Sequence, residues 1–321
     1  MSTMRKSNDQ EVIAILLADI HLSLKPPIWR SAEPDWFEAM KRPLDEVKRL
    51  QKQYDNCPVL CAGDIFNLWN SPPELINFAA EALPQMYAIP GQHDLPLHRY
   101  EDIKKSAYYS LIKMDVIQNI LPGCSIRLGK FDGGFELNGF PYGYDIEVKR
   151  AQTNRLSVAM AHQYVWIKGF SYPNAPMHEN LAGRTTKFSN SKILGYDVIV
   201  YGDNHKGFSG LGVGKCNVKT EIFNCGSLIR RSIDEVSYNP QVGLLLQSGE
   251  VKRHYLDITS DKYLAILNTV NTKTEMELQE VIKSLELLGT TSLNFSEAIK
   301  QATSKVDSKV REIILKAMEQ Q

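Results

Sequence analysis

The chain has 321 residues, enough for one large domain with a smaller one beside it. Lys plus Arg and Asp plus Glu both number 37, so no global positive field advertises nonspecific nucleic-acid binding. Met1–Gln10 is polar and no apolar stretch approaches bilayer length, which argues against a signal region or a membrane span. Cys57, Cys61, Cys124, Cys216 and Cys225 contain no Cys-x-x-Cys pair. They read as reduced thiols of a cytoplasmic protein rather than a disulfide framework.

Taken in chain order, Val12–Ala18 predicts a buried strand and is closed by Asp19-x-His21. Residues two apart in extended chain face the same side, so both side chains can reach one point. Trp29, Arg30, Trp36 and Phe37 lie in a proline-bearing insert. Aromatics beside a base could stack on nucleobases, but packing onto the domain is the preferred reading. Glu38–Tyr54 carries Met40, Leu44, Val47 and Leu50 at helical spacing, with Pro43 marking a late start or a kink. The strand Val59–Ala62, beside the expected buried thiols Cys57 and Cys61, is closed by Gly63-Asp64. Pro72–Leu83 predicts a helix opened by prolines. The strand Met86–Ile89 leads to Gly91-Gln92-His93-Asp94, and Glu101–Met114 predicts a third helix. Apolar runs alternating with amphipathic stretches through about residue 120 are a βαβ signature.

From 116 to 161 the texture becomes short strands with glycine turns, which predicts a second, antiparallel sheet. Val158–Ala161 is followed by His162, and 168–194 reads as a long polar loop near the site. Strands are predicted at 196–201, 217–224, 242–248 and 251–257, the last two as a hairpin. Val198–Tyr201 leads into Gly202-Asp203-Asn204-His205. After Asp261 helix formers dominate, with Thr272 and Ser296 as caps for helices over 273–288 and 297–320. The expected division is a catalytic domain, 1–258, and an accessory, partner-binding region, 259–321. His98, His178 and His254 have no partnered motif.

Five times, then, a buried strand ends in carboxylate, amide or imidazole groups. Ligand sites of α/β sheets form at that edge. Each residue alone is as often a capping or surface group; five in this order outweigh that reading. Oxygen and nitrogen donors from five strand ends suit a pair of divalent first-row metals.

The series Asp19-x-His21, Gly63-Asp64, Gly91-Gln92-His93-Asp94, His162 and Gly202-Asp203-Asn204-His205 resembles the calcineurin-like metallophosphoesterases. Their pattern is Asp-x-His, Gly-Asp, Gly-Asn-His-Asp, a lone His, then Gly-His-x-His. Ala62-Gly63-Asp64-Ile65-Phe66-Asn67 is similar to a phrase of the SbcD-type DNA double-strand-break repair nucleases. So is Asn224-Cys225-Gly226-Ser227-Leu228-Ile229 with the following Asp234-Glu235.

The resemblance implies an αββα sandwich of two mixed sheets flanked by helices, with a small, mainly helical C-terminal accessory domain. It implies a first metal on Asp19, His21, Asp64 and His205, and a second on Asp64, Gln92, His162 and Asp203. Gln92 stands for the family's Asn and Asp203 for its first His. Both keep an oxygen donor, and the harder shell favours Mn²⁺, or Mg²⁺, over Zn²⁺. The implied reaction is attack on phosphorus by hydroxide formed between cations about 3.5–4 Å apart. His93, oriented by Asp94, would stabilise or protonate the departing oxygen.

The implied function is a DNA exo- and endonuclease working with an SbcC-like coiled-coil ATPase. Phe295, Ile299, Ala302, Val306, Val310, Ile313 and Ala317 recur at spacings of three and four. They are either core or a seam for that partner. The resemblance also implies a homodimer through helices 72–83 and 101–114. Arg230 and Arg231 read equally as phosphate contacts or as a solvated face. Two rival readings are a phosphoesterase for small nucleotides or phosphoproteins, and a scaffold with a weakened metal site.

Overall fold

The computed structural model describes residues 9–129, 134–148, 155–166, 185–187, 195–213, 219–232 and 235–264. The helices expected over 273–288 and 297–320, the apolar seam, His178 and Cys216 lie outside the described residues. So does most of the 168–194 loop.

The first sheet follows the periodicity of the sequence. Val12–Leu17 (β1) leads to Trp36–Gln53 (α1), Val59–Cys61 (β2), Pro73–Ala82 (α2), Met86–Ala88 (β3), Ala107–Lys113 (α3) and Ile117–Asn119 (β4). Strands β1 to β4 pair in parallel in that order. Alternation along β1 divides its side chains between two cores. Ile15 and Leu17 join Met40, Leu44 and Val47 of α1, whereas Ala14 and Leu16 face the second sheet.

Helix α1 starts at Trp36 because the Asp35 carboxylate accepts the Glu38 N–H at 3.0 Å, an N-cap. Pro43 lies inside the helix rather than at its start. The helix expected over 101–114 is divided into a 3₁₀ segment, Tyr100–Lys105, and α3. Ser106 causes the break, its hydroxyl donating to Ile103 O and accepting from Tyr109 N–H.

The second sheet contains Ser125–Leu128 (β5), Phe135–Phe140 (β6) and Leu156–His162 (β7). Tyr164–Trp166 (β8) and Thr185–Lys187 (β9) form a separate parallel pair, so part of the expected loop is a strand. Val198–Gly202 (β10), Phe208–Val213 (β11) and Lys219–Asn224 (β12) complete the order β11-β12-β10-β7-β6-β5. The antiparallel arrangement expected here holds for β5–β6 but not for β6–β7, where Phe135 pairs with Leu156 in parallel. Residues 141–155 separate these strands, the dozen or more that a parallel crossover requires. Strand β11 escaped the sequence reading because Gly210 and Gly212 dilute its strand signal. Gln241–Leu246 (β13) and Val251–Tyr255 (β14) form the expected hairpin and return to the first sheet, β13 antiparallel to β1.

The two mixed six-stranded sheets close on Leu16, Leu60, Phe135, Val158 and Val200. Among the described residues, helices cover the first sheet alone, and Tyr196 and Phe208 pack with Ile199 and Ile222 on the outer face of the second. No described helix is long and apolar enough to cross a membrane. Cys57, Cys61 and Cys225 are buried free thiols, as expected, while Cys124 is exposed.

The aromatic insert is a packing element. Trp36 is buried and its Nε1 donates to Ser23 O at 2.9 Å; Phe37 stands edge-on to Phe78. Arg30, 1% exposed, lies against the Trp36 and Tyr263 rings and pairs with Glu33 at 2.6 Å and Asp261 at 2.9 Å. Arg230 is also buried and holds Asp261 and Val236 O, so it is neither a solvated residue nor a phosphate contact. Arg30→Ala removes the more deeply buried of two cations, Arg30 and Arg42, that both bridge Glu33 and Asp261. It should cost about 3–5 kcal/mol, the usual loss on breaking a buried pair. Urea melts measure this, and a loss under about 1 kcal/mol would class the cluster with surface pairs.

Candidate metal centre

The parallel strands of both sheets deliver their carboxyl ends to one edge. Beyond β1 and β2 the backbone keeps pairing, with Asp19 N–H to Gly63 O and His21 N–H to Asp64 O, both 3.0 Å. Asp19, His21, Asp64 and Asp203 have φ of 52°, 50°, 54° and 80°. Non-glycine residues seldom adopt this left-handed conformation, and it gathers at functional sites because surrounding structure must hold it. The glycines of the motifs are steric necessities. A Cβ on Gly63 (φ +98°) would lie 2.3 Å from His162 Nδ1, and one on Gly91 would lie 2.1 Å from Asp64 Oδ1.

The side chains converge as overlapping triplets: Asp19, His21 and His205; Asp19, Asp64 and His162; and His21, Asp64 and His93. Within each, the potential donor atoms lie within 4.8 Å of one another. Asp64 is central and fully buried. Its Oδ1 accepts the His93 N–H at 2.9 Å, and its Oδ2 lies 3.4 Å from His162 Nε2 and 3.7 Å from His21 Nε2.

The imidazoles are oriented by acceptors behind them. His162 Nδ1 donates to Ala62 O at 2.6 Å, which turns Nε2 toward Asp64. His205 Nδ1 lies 3.3 Å from Glu235 Oε1, and its Nε2 is 3.0 Å from His21 Nε2. The segment after β12 locks this edge, with Ser227 N–H on His205 O and Leu228 N–H on Asp19 O. Glu235 had no assigned role in the sequence reading; its signal was its place in the SbcD-like phrase.

His93 Nδ1 donates to the Asn67 carbonyl at 2.8 Å. Sequence reasoning expected Asp94 to orient this ring. Asp94 is fully buried and accepts the backbone N–H groups of Ile65, Phe66 and Gly91, so it braces the turn that carries His93 rather than touching the imidazole. Arg231 reaches Asn67 Oδ1 and is close enough for its charge to act on His21, so of the two arginines it is the one beside the centre.

The two departures from the family pattern meet. Gln92 Nε2 donates to Asp203 Oδ1 at 2.8 Å, and the Asp203 N–H lies 3.1 Å from both Asp19 oxygens. Their joint substitution is intelligible as one event. The longer amide bridges to the carboxylate, which keeps it from being a second uncompensated anion near Asp19. Gln92→Ala and Asp203→Ala should therefore be non-additive in Mn²⁺ affinity, with a coupling of about 0.5–3 kcal/mol. Competition titrations of the two single variants and the double variant test this; strict additivity would mean that the pair does not act as a unit.

Burial and like charge push Asp19 up to about 7, and burial with the neighbouring Asp64 pushes Asp94 up to about 7. Burial opposes ionisation of Asp64 as well, yet His162, His93 and His21 hold its carboxyl well below the usual range. Burial would lower His162, but Asp64 and Asp19 outweigh it and raise the imidazole to about 10. The protein alone thus gathers protons where a cation would replace them.

Metal ions fit this donor set. Asp64 Oδ2, Gln92 Oε1 and His162 Nε2 are buried without a hydrogen-bond partner, a costly state unless a ligand completes them. The sequence model of the calcineurin-like phosphoesterases matches residues 14–207, more than half of the chain. The chain is a calcineurin-like phosphoesterase. Membership implies a metal-dependent hydrolase, and the clustered Asp and His side chains of this phosphoesterase make a site for two divalent ions.

No curated protein matches the chain. Among solved structures it is similar to a described 5′-nucleotidase of Staphylococcus aureus in complex with alpha-ketoglutarate, at 11% identity and TM-score 0.45 over 92% of this chain and 58% of that one. It is similar also to a 5′-nucleotidase precursor of Thermus thermophilus, at 13% identity and TM-score 0.45 over 76% of this chain and 54% of that one. The phosphoesterase thus spans little more than half the length of either, and likeness at this level says nothing of substrate.

Proposed function

We propose that this phosphoesterase is a two-metal phosphodiesterase acting on DNA in the SbcD manner, with Mn²⁺ as its preferred ion. The observation that carries the reading is that Asp64 Oδ2 and His162 Nε2, 3.4 Å apart, and Gln92 Oε1 are all buried without a hydrogen-bond partner. Asp19, His21, Asp64 and His205 would hold one ion, and Asp64, Gln92, His162 and Asp203 the other. The oxygen-rich second set favours Mn²⁺ or Mg²⁺ over Zn²⁺. Bound divalent ions would supply Lewis-acid activation of the phosphate and of water.

The chain's own residues provide the rest. Because the His93 Nδ1 proton is held by Asn67 O, Nε2 is the atom that hands a proton to the departing oxygen. Asn67 also anchors Arg231, whose guanidinium suits a nonbridging phosphate oxygen. DNA as substrate is supported by the place of both SbcD-like phrases at this edge: the Asn67 carbonyl of the first holds His93 Nδ1, and Glu235 of the second lies 3.3 Å from His205 Nδ1. An SbcC-like ATPase partner and a homodimer through α2 and α3 belong to the same reading.

Linear DNA, small nucleoside monophosphates and a phosphopeptide, each with and without Mn²⁺, test it. Mn²⁺-dependent cleavage of DNA ahead of the others is expected. Faster release of phosphate from the monoesters would favour the small-substrate reading, and no turnover on any substrate would favour the scaffold.

Metal uptake should depend on pH in a defined direction. Below about 7 Asp19 retains a proton, and below about 10 so does His162. A cation must displace these protons, so affinity rises with pH, about tenfold per unit for each proton released. Calorimetric titration of Mn²⁺ at pH 7 in two buffers of different ionisation enthalpy should show net proton release. Zero release would remove these groups from the ligand set.

A further inference from the structure

An aromatic wall stands beside the metal-binding side chains. Tyr142 follows β6, and its N–H donates to Pro90 O at 3.1 Å, which sets it against the turn bearing Gln92. Its ring is edge-on to His162, with centroids 6.4 Å apart, and its centroid lies 6.0 Å from that of the His98 ring. His98 Nδ1 lies 3.0 Å from Gln92 O, so the wall is tied to the Gln92 and His162 side of the centre. Tyr144 continues it outward, 39% exposed and edge-on to Tyr100 at 5.6 Å.

Tyr142 and Tyr100 rest against the core of the first sheet, but packing does not explain the turn at 97–98 beside them. Leu97 and His98 are consecutive non-glycine residues with φ of 52° and 58°. Left-handed backbone at such residues is strained, and surrounding structure has to offset the strain. Burial of their side chains does not, because Leu97 is 67% exposed and His98 is exposed too. Strained backbone that presents a leucine and an imidazole to solvent, next to Tyr142, is what a contact surface requires.

We infer that Tyr142 and His98 form a base-stacking subsite for the nucleotide beside the scissile phosphate. The inference rests on the phosphodiesterase reading above and narrows its substrates to base-bearing ones. Aromatic and imidazole faces stack on any nucleobase and tolerate sequence, as a nuclease needs. Tyr142, its ring centroid 6.4 Å from that of His162, stands next to the side chains that would hold the metal ions and the scissile phosphate. A sugar phosphate, or a phosphopeptide without aromatic side chains, offers no planar face to this wall. A free nucleotide and a strand end share the same chemistry.

The test uses the full chain with Ca²⁺ present, and two probes: 2-aminopurine riboside 5′-monophosphate, and a single-stranded oligonucleotide ending in 2-aminopurine. Stacking quenches the fluorophore, so binding is read without hydrolysis. The oligonucleotide should bind with quenching, and Tyr142→Leu should weaken it on the order of tenfold, within the range of one lost base stack. An otherwise identical strand with an abasic terminal nucleotide, followed by displacement of the fluorescent strand, should bind the unaltered protein more weakly. The preference for the base-bearing strand should collapse in Tyr142→Leu. His98→Ala carries the same comparison should Tyr142→Leu fail to fold.

Quenching of the mononucleotide as well would assign the subsite to free nucleotides and strands alike; quenching of the strand only would assign it to strands. An absence of quenching with both probes, or an equal loss on the abasic strand, would overturn the inference. Stacking without DNA cleavage would count against the nuclease reading alone. Cleavage indifferent to the base would count against the subsite alone.

Discussion

Asp64→Asn should abolish hydrolysis, by about 10³-fold or more, and empty both ion sites together. Lewis-acid stabilisation of the transition state is worth several kcal/mol, and each 1.4 kcal/mol is a factor of ten in rate. The substitution is nearly isosteric, so packing around this fully buried position is preserved. What changes is charge and the character of one atom. Asp64 Oδ2 is the buried acceptor that lies 3.4 Å from His162 Nε2 and 3.7 Å from His21 Nε2, one imidazole from each expected ligand set. An amide in its place offers a neutral oxygen or a donor that points at these rings. Elemental analysis of the purified variant should therefore show loss of both ions, not one. Retention of a single ion would confine Asp64 to one site, and full activity with both ions bound would remove it from the centre.

His93→Ala should behave in the opposite way, keeping its metal and losing turnover by about 10²–10⁴-fold, the contribution of a general acid. Its Nδ1 is committed to Asn67 O, and its ring stands edge-on to His21 at 4.9 Å between centroids. The backbone N–H of residue 93, which holds Asp64 Oδ1, survives the substitution. The loss should be largest for substrates with a poor leaving group and small for a nitrophenyl ester, whose departing oxygen needs no proton. Comparison of these substrates separates the proton donor from a ligand, because loss of a ligand would slow both. Release of metal from His93→Ala would make it a ligand, which its place in the His21–Asp64–His93 triplet permits on distance alone.

The scaffold alternative has its motive in Gln92 and Asp203, the two residues that depart from the family pattern. Their mutual hydrogen bond weakens that motive. Two independent losses of ligands would not be expected to satisfy each other at 2.8 Å while leaving Gln92 Oε1 buried and available. The arrangement fits the proposal of a retuned second site better than that of a lost one.

Local sequence was sufficient wherever the information is local. The buried strands announce themselves through apolar runs, their ends through glycine and the donor residues, and α1 and α2 through spacing of three and four. The candidate donor residues were legible for the same reason: parallel strands deliver their carboxyl ends to one edge, so side chains at those ends gather there. Only tertiary structure could decide contacts whose partners are remote in sequence. The Gln92–Asp203 bond spans 111 positions and Arg231–Asn67 spans 164, and no periodicity encodes either. The direction of β7 relative to β6 and the break at Ser106 were hidden differently. A run buried on both faces looks the same in either strand direction, and a serine in a helical pattern discloses its cap only when its hydroxyl finds Tyr109 N–H. Arg230 and Asp94 show the last limit: charge predicts exposure, whereas pairing with Asp261 in one case and three backbone amides in the other allows burial.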